Sequence, residues 1–286
     1  TVLIQGESGT GKEMVAQALH ESSACCGREM VTVDGGTLQE TLFESEIFGH
    51  ERGAFTSAER QKKGLIEEAE GSTLFLDEIG ETSPAIQAKL LRVLETNTFR
   101  RLGGTRVLKA NVRFVVASNR DLAEMSQAGS FRSDLYFRLA SFVIHVPPLR
   151  ERREDIPLLA EHFLQRFARG IERKLTPDAL QLLMVYDWPG NVRELRNLIE
   201  RAVILAGRDG RIRAEHFGPL VARRPDSVSL AFDHEPSLAE IEKDYLRRTL
   251  LQYGGNRAKA ALVLGISERN IYRLIRQYKL DDRSEH

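Results

Sequence analysis

The stretch Thr1-Val2-Leu3-Ile4-Gln5-Gly6-Glu7-Ser8-Gly9-Thr10-Gly11-Lys12-Glu13 decides the fold. A short apolar run gives way to a glycine-rich turn, and Met14 to Leu19 then open a helix-like pattern. Strand, glycine loop and helix in that order are the setting a phosphate cradle requires. Glycines let successive backbone N–H groups converge on phosphate oxygens at a helix N-terminus, and Lys12 can reach the β and γ phosphates. Taken alone, the loop also fits a glycine turn of purely structural role. Glu13 stands where a hydroxyl residue usually follows the lysine, which removes a magnesium ligand and puts weight on a second acidic motif.

Gly71-Ser72-Thr73-Leu74-Phe75-Leu76-Asp77-Glu78 supplies that motif, an apolar strand ending in two carboxylates. Ligands of α/β proteins bind at the C-terminal edge of the sheet, where these acids fall. Asp77 can hold Mg2+ directly or through water, and Glu78 can orient and polarise a water for attack on a γ phosphate. Without the glycine loop, such a pair reads as a helix cap or a loop charge.

Further apolar runs, Met30 to Val33, Val112 to Ala117 and Phe142 to Val146, alternate with helix-like segments and predict a parallel sheet in an α/β core. From Pro147-Pro148 onward the period becomes helical, over Ile156 to Ala168, Pro177 to Tyr186 and Val192 to Leu205. The predicted organisation is an α/β domain over 1–146, a helical lid over 147–218, an exposed connection over 219–236 and a separate helical module over 237–281. The 286 residues carry 41 basic and 41 acidic side chains, but between Gly254 and Leu280 the count is six basic to one acidic. A basic terminal module points to nucleic acid, although alone it also fits a solvated helical face. No apolar run approaches the ~20 residues that span a bilayer, so a cytoplasmic protein with no membrane partner is expected. Cys25 and Cys26 are adjacent, which offers no spaced metal site, and they read as buried or inert thiols.

Gly49-His50-Glu51-Arg52-Gly53-Ala54-Phe55-Thr56-Ser57-Ala58 fits neither a packed helix nor a strand. Small residues surround one Phe and one Thr, which predicts a loop offering Phe55 outward to a partner. The alternative is a tight connection with Phe55 tucked into the core.

With these motifs and Trp188-Pro189-Gly190-Asn191-Val192-Arg193-Glu194-Leu195, the chain closely resembles, from Thr1 to about Leu220, the AAA+ domain of bacterial enhancer-binding proteins. These are the NtrC-type activators of sigma-54 RNA polymerase. The resemblance implies a P-loop AAA+ ATPase with ATP and Mg2+ as cofactors, working as a ring, hexamer or heptamer, in a two-component regulatory system. It implies that Gly6 to Glu13 hold ATP, that Ser118 and Asn119 form a first sensor, and that Arg193 is the second sensor on the lid. Arg132 and Arg138 resemble arginine fingers that enter the neighbouring subunit's site, where a guanidinium stabilises the transferring phosphoryl group. Leu149 and Ile156 resemble hinge residues against the adenine, and Phe55 and Thr56 resemble the sigma-54 contact. Three departures stand out. Ser57 replaces the second glycine of the family's Gly-Ala-Phe-Thr-Gly-Ala loop, which could weaken engagement with sigma-54. Asp34 matches a strand-end asparagine that restrains the catalytic glutamate, and two neighbouring carboxylates repel. The sequence also begins five residues before the glycine loop, as a fragment would.

In the last segment, Leu238 to Tyr253 and Arg257 to Leu264 read as helices, and after Gly265-Ile266-Ser267 a third runs from Glu268 to Arg276. That is a helix-turn-helix, resembling the Fis-type DNA-binding domain of the same family, or alternatively a three-helix packing element. Ala258, Ala261, Leu262, Ile266, Ile271 and Leu274 are its predicted core. Arg269, Asn270, Tyr272 and Arg273 are left facing double-stranded DNA, and the pairing of such modules implies a dimer on a two-fold site. The leading reading is an ATP-hydrolysing transcription activator that remodels sigma-54 RNA polymerase from an upstream site. The alternative is a nucleotide-gated DNA-binding regulator uncoupled from sigma-54 through Ser57.

Overall fold

Among the described residues, five strands form one parallel sheet in the spatial order Val31–Asp34, Thr73–Asp77, Arg113–Ser118, Val2–Gln5 and Val143–His145. The computed structural model describes residues 1–36, 40–55, 58–168, 172–207, 209–218, 237–253, 256–278 and 280. In chain order, β1 (Val2–Gln5) leads through the glycine loop to α1 (Lys12–Glu21), and β2 (Val31–Asp34) precedes α2 (Glu40–Phe48) and α3 (Leu65–Glu68). Next, β3 (Thr73–Asp77) leads to α4 (Pro84–Thr96), and a small hairpin of β4 (Thr98–Phe99) and β5 (Leu108–Lys109) precedes β6 (Arg113–Ser118). Two short helices, α5 (Leu122–Gln127) and α6 (Ser133–Leu139), then return the chain to β7 (Val143–His145).

The strands read as continuous apolar runs because both faces of the sheet are covered. Leu3, Leu74, Leu76, Phe114 and Val116 point into one core, with Phe43, Ile47, Ile86, Leu90 and Leu135. The alternate residues Ile4, Phe75, Val115 and Ala117 point into the other, with Ala16 of α1. Register places Gln5 beside Ser118 and Asp34 beside Asp77, so neighbouring strands end at nearly one level. Loops carrying different chemistry are thereby brought to one edge.

Beyond the sheet, two 3-10 turns (Leu149–Glu151 and Arg153–Asp155) lead into α7 (Ile156–Phe167), α8 (Pro177–Val185) and α9 (Asn191–Leu205). The two-residue strands β8 (Lys174–Leu175) and β9 (Arg211–Ile212) pair in parallel, an element the sequence reading missed. Trp188 is fully buried and its indole N–H donates to the Leu183 carbonyl at 2.9 Å, which fixes the connection ahead of α9. The chain divides into two compact units, Thr1–Phe217 and Gly218–His286. The predicted connection at 219–236 lies outside the described residues.

In the second unit, α10 (Leu238–Gln252), α11 (Arg257–Val263) and α12 (Glu268–Gln277) are each capped by a side chain, from Ser237, Asn256 and Ser267. Gly265 turns the chain between α11 and α12 at φ 65°, a conformation glycine adopts without cost. The core contains Leu246, Ala260, Ala261, Ile271, Leu274 and Ile275, with Ile266 packed against it. This corrects the predicted core at two positions, since Ala258 is exposed and Leu262 is 83% exposed. Seven residues of helix leave the phase open between two overlapping faces, and packing on α10 selects the one carrying Ala260 and Ala261. Cys26 is exposed and Cys25 partly so, which corrects the expectation of buried thiols.

Candidate functional site

The candidate residues meet at the C-terminal edge of the sheet. Asp34 ends β2, Asp77 ends β3 with Glu78 next, Ser118 ends β6 with Asn119 next, and the glycine loop follows β1. Gly9 and Gly11 have φ of 77° and 101°, values closed to most side chains. A Cβ on Gly9 would stand 2.5 Å from the Gly190 carbonyl oxygen, so the lid also needs a glycine there. Among the described residues the amides of Gly11, Lys12 and Glu13 have no protein acceptor, leaving donors at the start of α1. Lys12 is buried and its ammonium donates to the carbonyls of Gly6 (2.8 Å) and Glu7 (3.1 Å). Burial lowers its pKa, while the charges of Asp77 and Glu78 oppose that shift.

Glu78 has φ 53°, a left-handed conformation that costs a non-glycine residue about 1 kcal/mol or more. Its carboxylate lies over Gly36, where a Cβ would meet Oε2 at 2.4 Å and Asp34 Oδ1 at 3.5 Å. Asp34 Oδ1 accepts the Gly36 amide at 2.8 Å. Burial raises the Glu78 pKa, and the charges of Asp34 and Asp77 raise it further, so the expected repulsion from Asp34 has the predicted sign. The sequence reading missed Gly36, although two consecutive glycines after a strand-end acid are a visible mark of close approach. Asp77 Oδ1 accepts the Glu78 amide at 2.9 Å, which orients its carboxylate. No group of three or more His, Cys, Asp or Glu able to hold a metal occurs among the described residues. One carboxylate completed by substrate phosphates and water suits magnesium rather than an all-protein metal cage.

Ser118 is fully buried and its hydroxyl is occupied, donating to the Arg120 carbonyl at 2.7 Å and accepting the Arg120 amide at 3.1 Å. Asn119 beside it is exposed. Glu13 is exposed on α1. Arg193 reaches the loop from α9 and donates to Ser8 Oγ at 3.1 Å. The Val192 amide donates to the Gly9 carbonyl at 2.9 Å and Arg152 donates to the Thr10 carbonyl at 2.7 Å. Leu149 and Ile156 are fully buried at the hinge. Arg132 pairs with Asp134 through two hydrogen bonds, and Arg138 donates to the Leu94 carbonyl at 2.8 and 3.2 Å. Within this chain, therefore, both arginines hold partners away from the glycine loop.

The Gly49–Ala58 loop has a built base. His50 bridges to Lys62 on one side and to Leu102 on the other, and the Gly53 amide donates to the Ala58 carbonyl at 2.8 Å. Phe55 is partly buried, its ring edge-on to His50 at 5.0 Å, so the predicted outward display is half met. Thr56 and Ser57 lie outside the described residues. Arg101 grips Glu67 bidentately at 2.8 and 2.6 Å and Glu51 at 3.0 Å, joining the segment after β4 to α3 and the loop base. The Arg101 and Glu67 side chains are only 13% and 17% exposed. Arg101→Ala would strand a largely buried carboxylate, and a loss of about 2 kcal/mol is expected as a lower denaturation midpoint. An unchanged midpoint would refute the bracing role.

On the second unit Arg269, Asn270 and Arg273 are exposed on α12, and Tyr272 is 51% exposed with the Arg257 guanidinium 5.0 Å from its ring centroid. Their common exposure agrees with the predicted outward face.

Comparison with known families matches residues 1–145 to the sigma-54 interaction domain, 150–230 to the AAA+ ATPase lid domain and 237–278 to the bacterial regulatory protein Fis family. The transcriptional regulatory protein ZraR of Escherichia coli K12 is 49% identical over 275 residues, covering 95% of this chain and 62% of that protein. The regulatory protein AtoC of the same strain is 44% identical over 292 residues, covering 98% of this chain and 63% of the relative. The chain thus spans about three-fifths of the length of these relatives. Among solved structures, NtrX of Brucella abortus in complex with ADP is similar at a TM-score of 0.73 and 35% identity, covering 97% of this chain and 64% of that one. The same protein in complex with ATP is similar at a TM-score of 0.69 and 35% identity, with coverage of 97% and 63%.

Proposed function

The chain belongs to the sigma-54 interaction domain family, with an AAA+ lid and a Fis-type helix-turn-helix, and from that premise we propose that it is an ATP-hydrolysing transcription activator. It binds upstream double-stranded DNA through α12, assembles as a ring, and uses ATP turnover to press the Phe55 loop against sigma-54. The observation that carries this reading is the edge of the sheet, where the adjoining strands β3, β6 and β1 lead into Asp77 and Glu78, into Ser118 and Asn119, and into the glycine loop with Lys12, a loop that Arg193 of the lid reaches through Ser8. The ATP and ADP complexes of NtrX, a structural relative, support nucleotide as the ligand.

In this reading the free amides of Gly11 to Glu13 and the Lys12 ammonium receive the phosphates. Glu78 holds the attacking water and takes its proton, and its left-handed backbone keeps the carboxylate beside Gly36. Arg193 approaches from the lid and Arg138 from the neighbouring subunit, where a cation stabilises charge on the transferring group. Asn119, exposed at the β6 end, is better placed than the occupied Ser118 hydroxyl to read the γ phosphate. Magnesium held at Asp77 would screen the phosphate charge.

On the second unit, the exposed Leu251 (72%) and Leu262 (83%) support self-association of the DNA-binding module. No helix among the described residues is long and apolar enough to cross a membrane.

Gly36→Ala tests the site, because its Cβ would overlap Glu78 Oε2 and push that carboxylate aside while meeting no atom of the glycine loop. A fall in kcat of about tenfold or more with KM for ATP nearly unchanged is expected from steady-state phosphate release. Equal turnover in wild type and variant would contradict the placement of Glu78.

A further inference from the structure

One side chain of the phosphate loop has a chemistry opposed to its setting. A carboxylate directed at bound phosphates would repel them, yet Glu7 sits inside the loop. Its oxygens face the lid instead. Oε1 accepts Arg150 Nη2 at 2.7 Å, and Oε2 accepts Arg150 Nη1 at 2.9 Å together with Asn191 Nδ2 at 3.1 Å. Asn191 is fully buried, begins α9 at φ 52°, and accepts the Leu149 amide through Oδ1 at 2.8 Å. It also donates to the Ser8 carbonyl at 3.1 Å. Hinge turn, lid helix and phosphate loop are therefore joined around one carboxylate.

The backbone of the same residue faces the other way. The Glu7 carbonyl accepts the Lys12 ammonium at 3.1 Å and the Thr10 hydroxyl at 2.9 Å. Glu7 thus touches, through its carbonyl, the cation that meets a phosphate and, through its carboxylate, the hinge of the lid. A Lys12 ammonium drawn to a phosphate loosens its hold on the carbonyls of Gly6 and Glu7. Any shift of that backbone is carried to Arg150 and Asn191 by the bidentate pair, a contact with directional as well as electrostatic constraint.

We propose that Glu7 is a positioning residue rather than a nucleotide ligand, and that with Arg150 and Asn191 it forms a latch coupling occupancy of the phosphate loop to the seat of the lid. The proposal rests on the ATP-binding reading given above. The Glu7 and Arg150 side chains are 42% and 40% exposed, so water and salt screen the pair, and its effect is moderate and sensitive to ionic strength. The Arg150 hydrogen bonds, helped by Asn191, hold the Glu7 carboxyl down to about 2, so the latch stays charged throughout the neutral range.

The full chain is compared with Glu7→Gln, Arg150→Gln, these two substitutions combined, and the charge-exchanged pair Glu7→Arg with Arg150→Glu. Hydrogen exchange is followed at the Val192 and Arg193 amides, which donate to the Gly9 carbonyl. Binding of a fluorescent, non-hydrolysable ATP analogue is measured at low and high salt. Each single variant is expected to exchange about fivefold faster at these amides and to bind the analogue about fivefold more weakly, with KM raised and kcat within twofold. The wild-type advantage shrinks at high salt, the two neutral substitutions combined are no worse than one, and the exchanged pair recovers part of the loss. Faster exchange with unchanged affinity would reduce Glu7 to a structural contact and overturn the proposal, as would unchanged exchange. A wild-type chain that binds no analogue refutes the ATP-binding reading and the latch with it. A wild type and variants that bind equally refute the latch alone.

Discussion

Glu78→Gln is expected to lower ATP turnover by about 10²- to 10⁴-fold while leaving nucleotide affinity within a few-fold of wild type. The separation follows from where the binding groups sit. Lys12 and the free amides at the start of α1 lie on a different segment from Glu78, and the Asp77 carboxylate is oriented by the Glu78 backbone amide rather than by the Glu78 side chain. Gln keeps the size of Glu and fits the same space over Gly36, but it cannot take a proton from water. Phosphate release and equilibrium binding measured on one preparation check the two halves. Turnover preserved in the variant would remove Glu78 from the mechanism, whereas lost binding would make it a ligand.

Arg138→Ala is expected to lower turnover by about 10³-fold or more, the scale of an arginine supplied across an interface. Within its own protomer Arg138 holds the Leu94 carbonyl in the last turn of α4, so its loss leaves the glycine loop of the same chain unaltered. The consequence is complementation. Lys12→Ala and Arg138→Ala chains are each expected to be inactive, and mixed in equal amounts they are expected to regain part of the wild-type rate. Some interfaces in such an assembly combine an intact Lys12 with an intact Arg138 from the next subunit. No recovery on mixing, in assemblies shown to exchange subunits, would place Arg138 in its own protomer's chemistry or outside it altogether.

The sheet was legible because central parallel strands are buried on both faces and read as unbroken apolar runs, as in Thr73–Leu76 and Phe114–Ala117. The glycine loop and acidic strand end were legible for a local reason, since each motif needs only its own few residues. What the sequence hid is mostly non-local. Glu7 and Arg150 lie 143 residues apart, and Glu7 and Asn191 lie 184 apart, so no spacing announces that they meet. The β4–β5 hairpin has two residues per strand, too few for a period, yet its neighbour Arg101 braces the Phe55 loop. In α11, Ala258 and Leu262 were assigned to the core because seven residues cannot distinguish two faces that share Ala261. Phe55 shows the same limit in a loop, since composition does not foretell that His50 covers part of its ring.

The central claim is that turnover at the sheet edge drives the Phe55 loop against sigma-54. Its most direct test is capture of purified sigma-54 by the full chain in the presence of ADP and aluminium fluoride, a mimic of the transferring phosphoryl group. A stable complex is predicted with this mimic, absent with ADP alone and absent for Phe55→Ala, which should still hydrolyse ATP. Turnover without capture under any nucleotide condition would contradict the account and favour a regulator whose nucleotide controls only assembly and DNA binding.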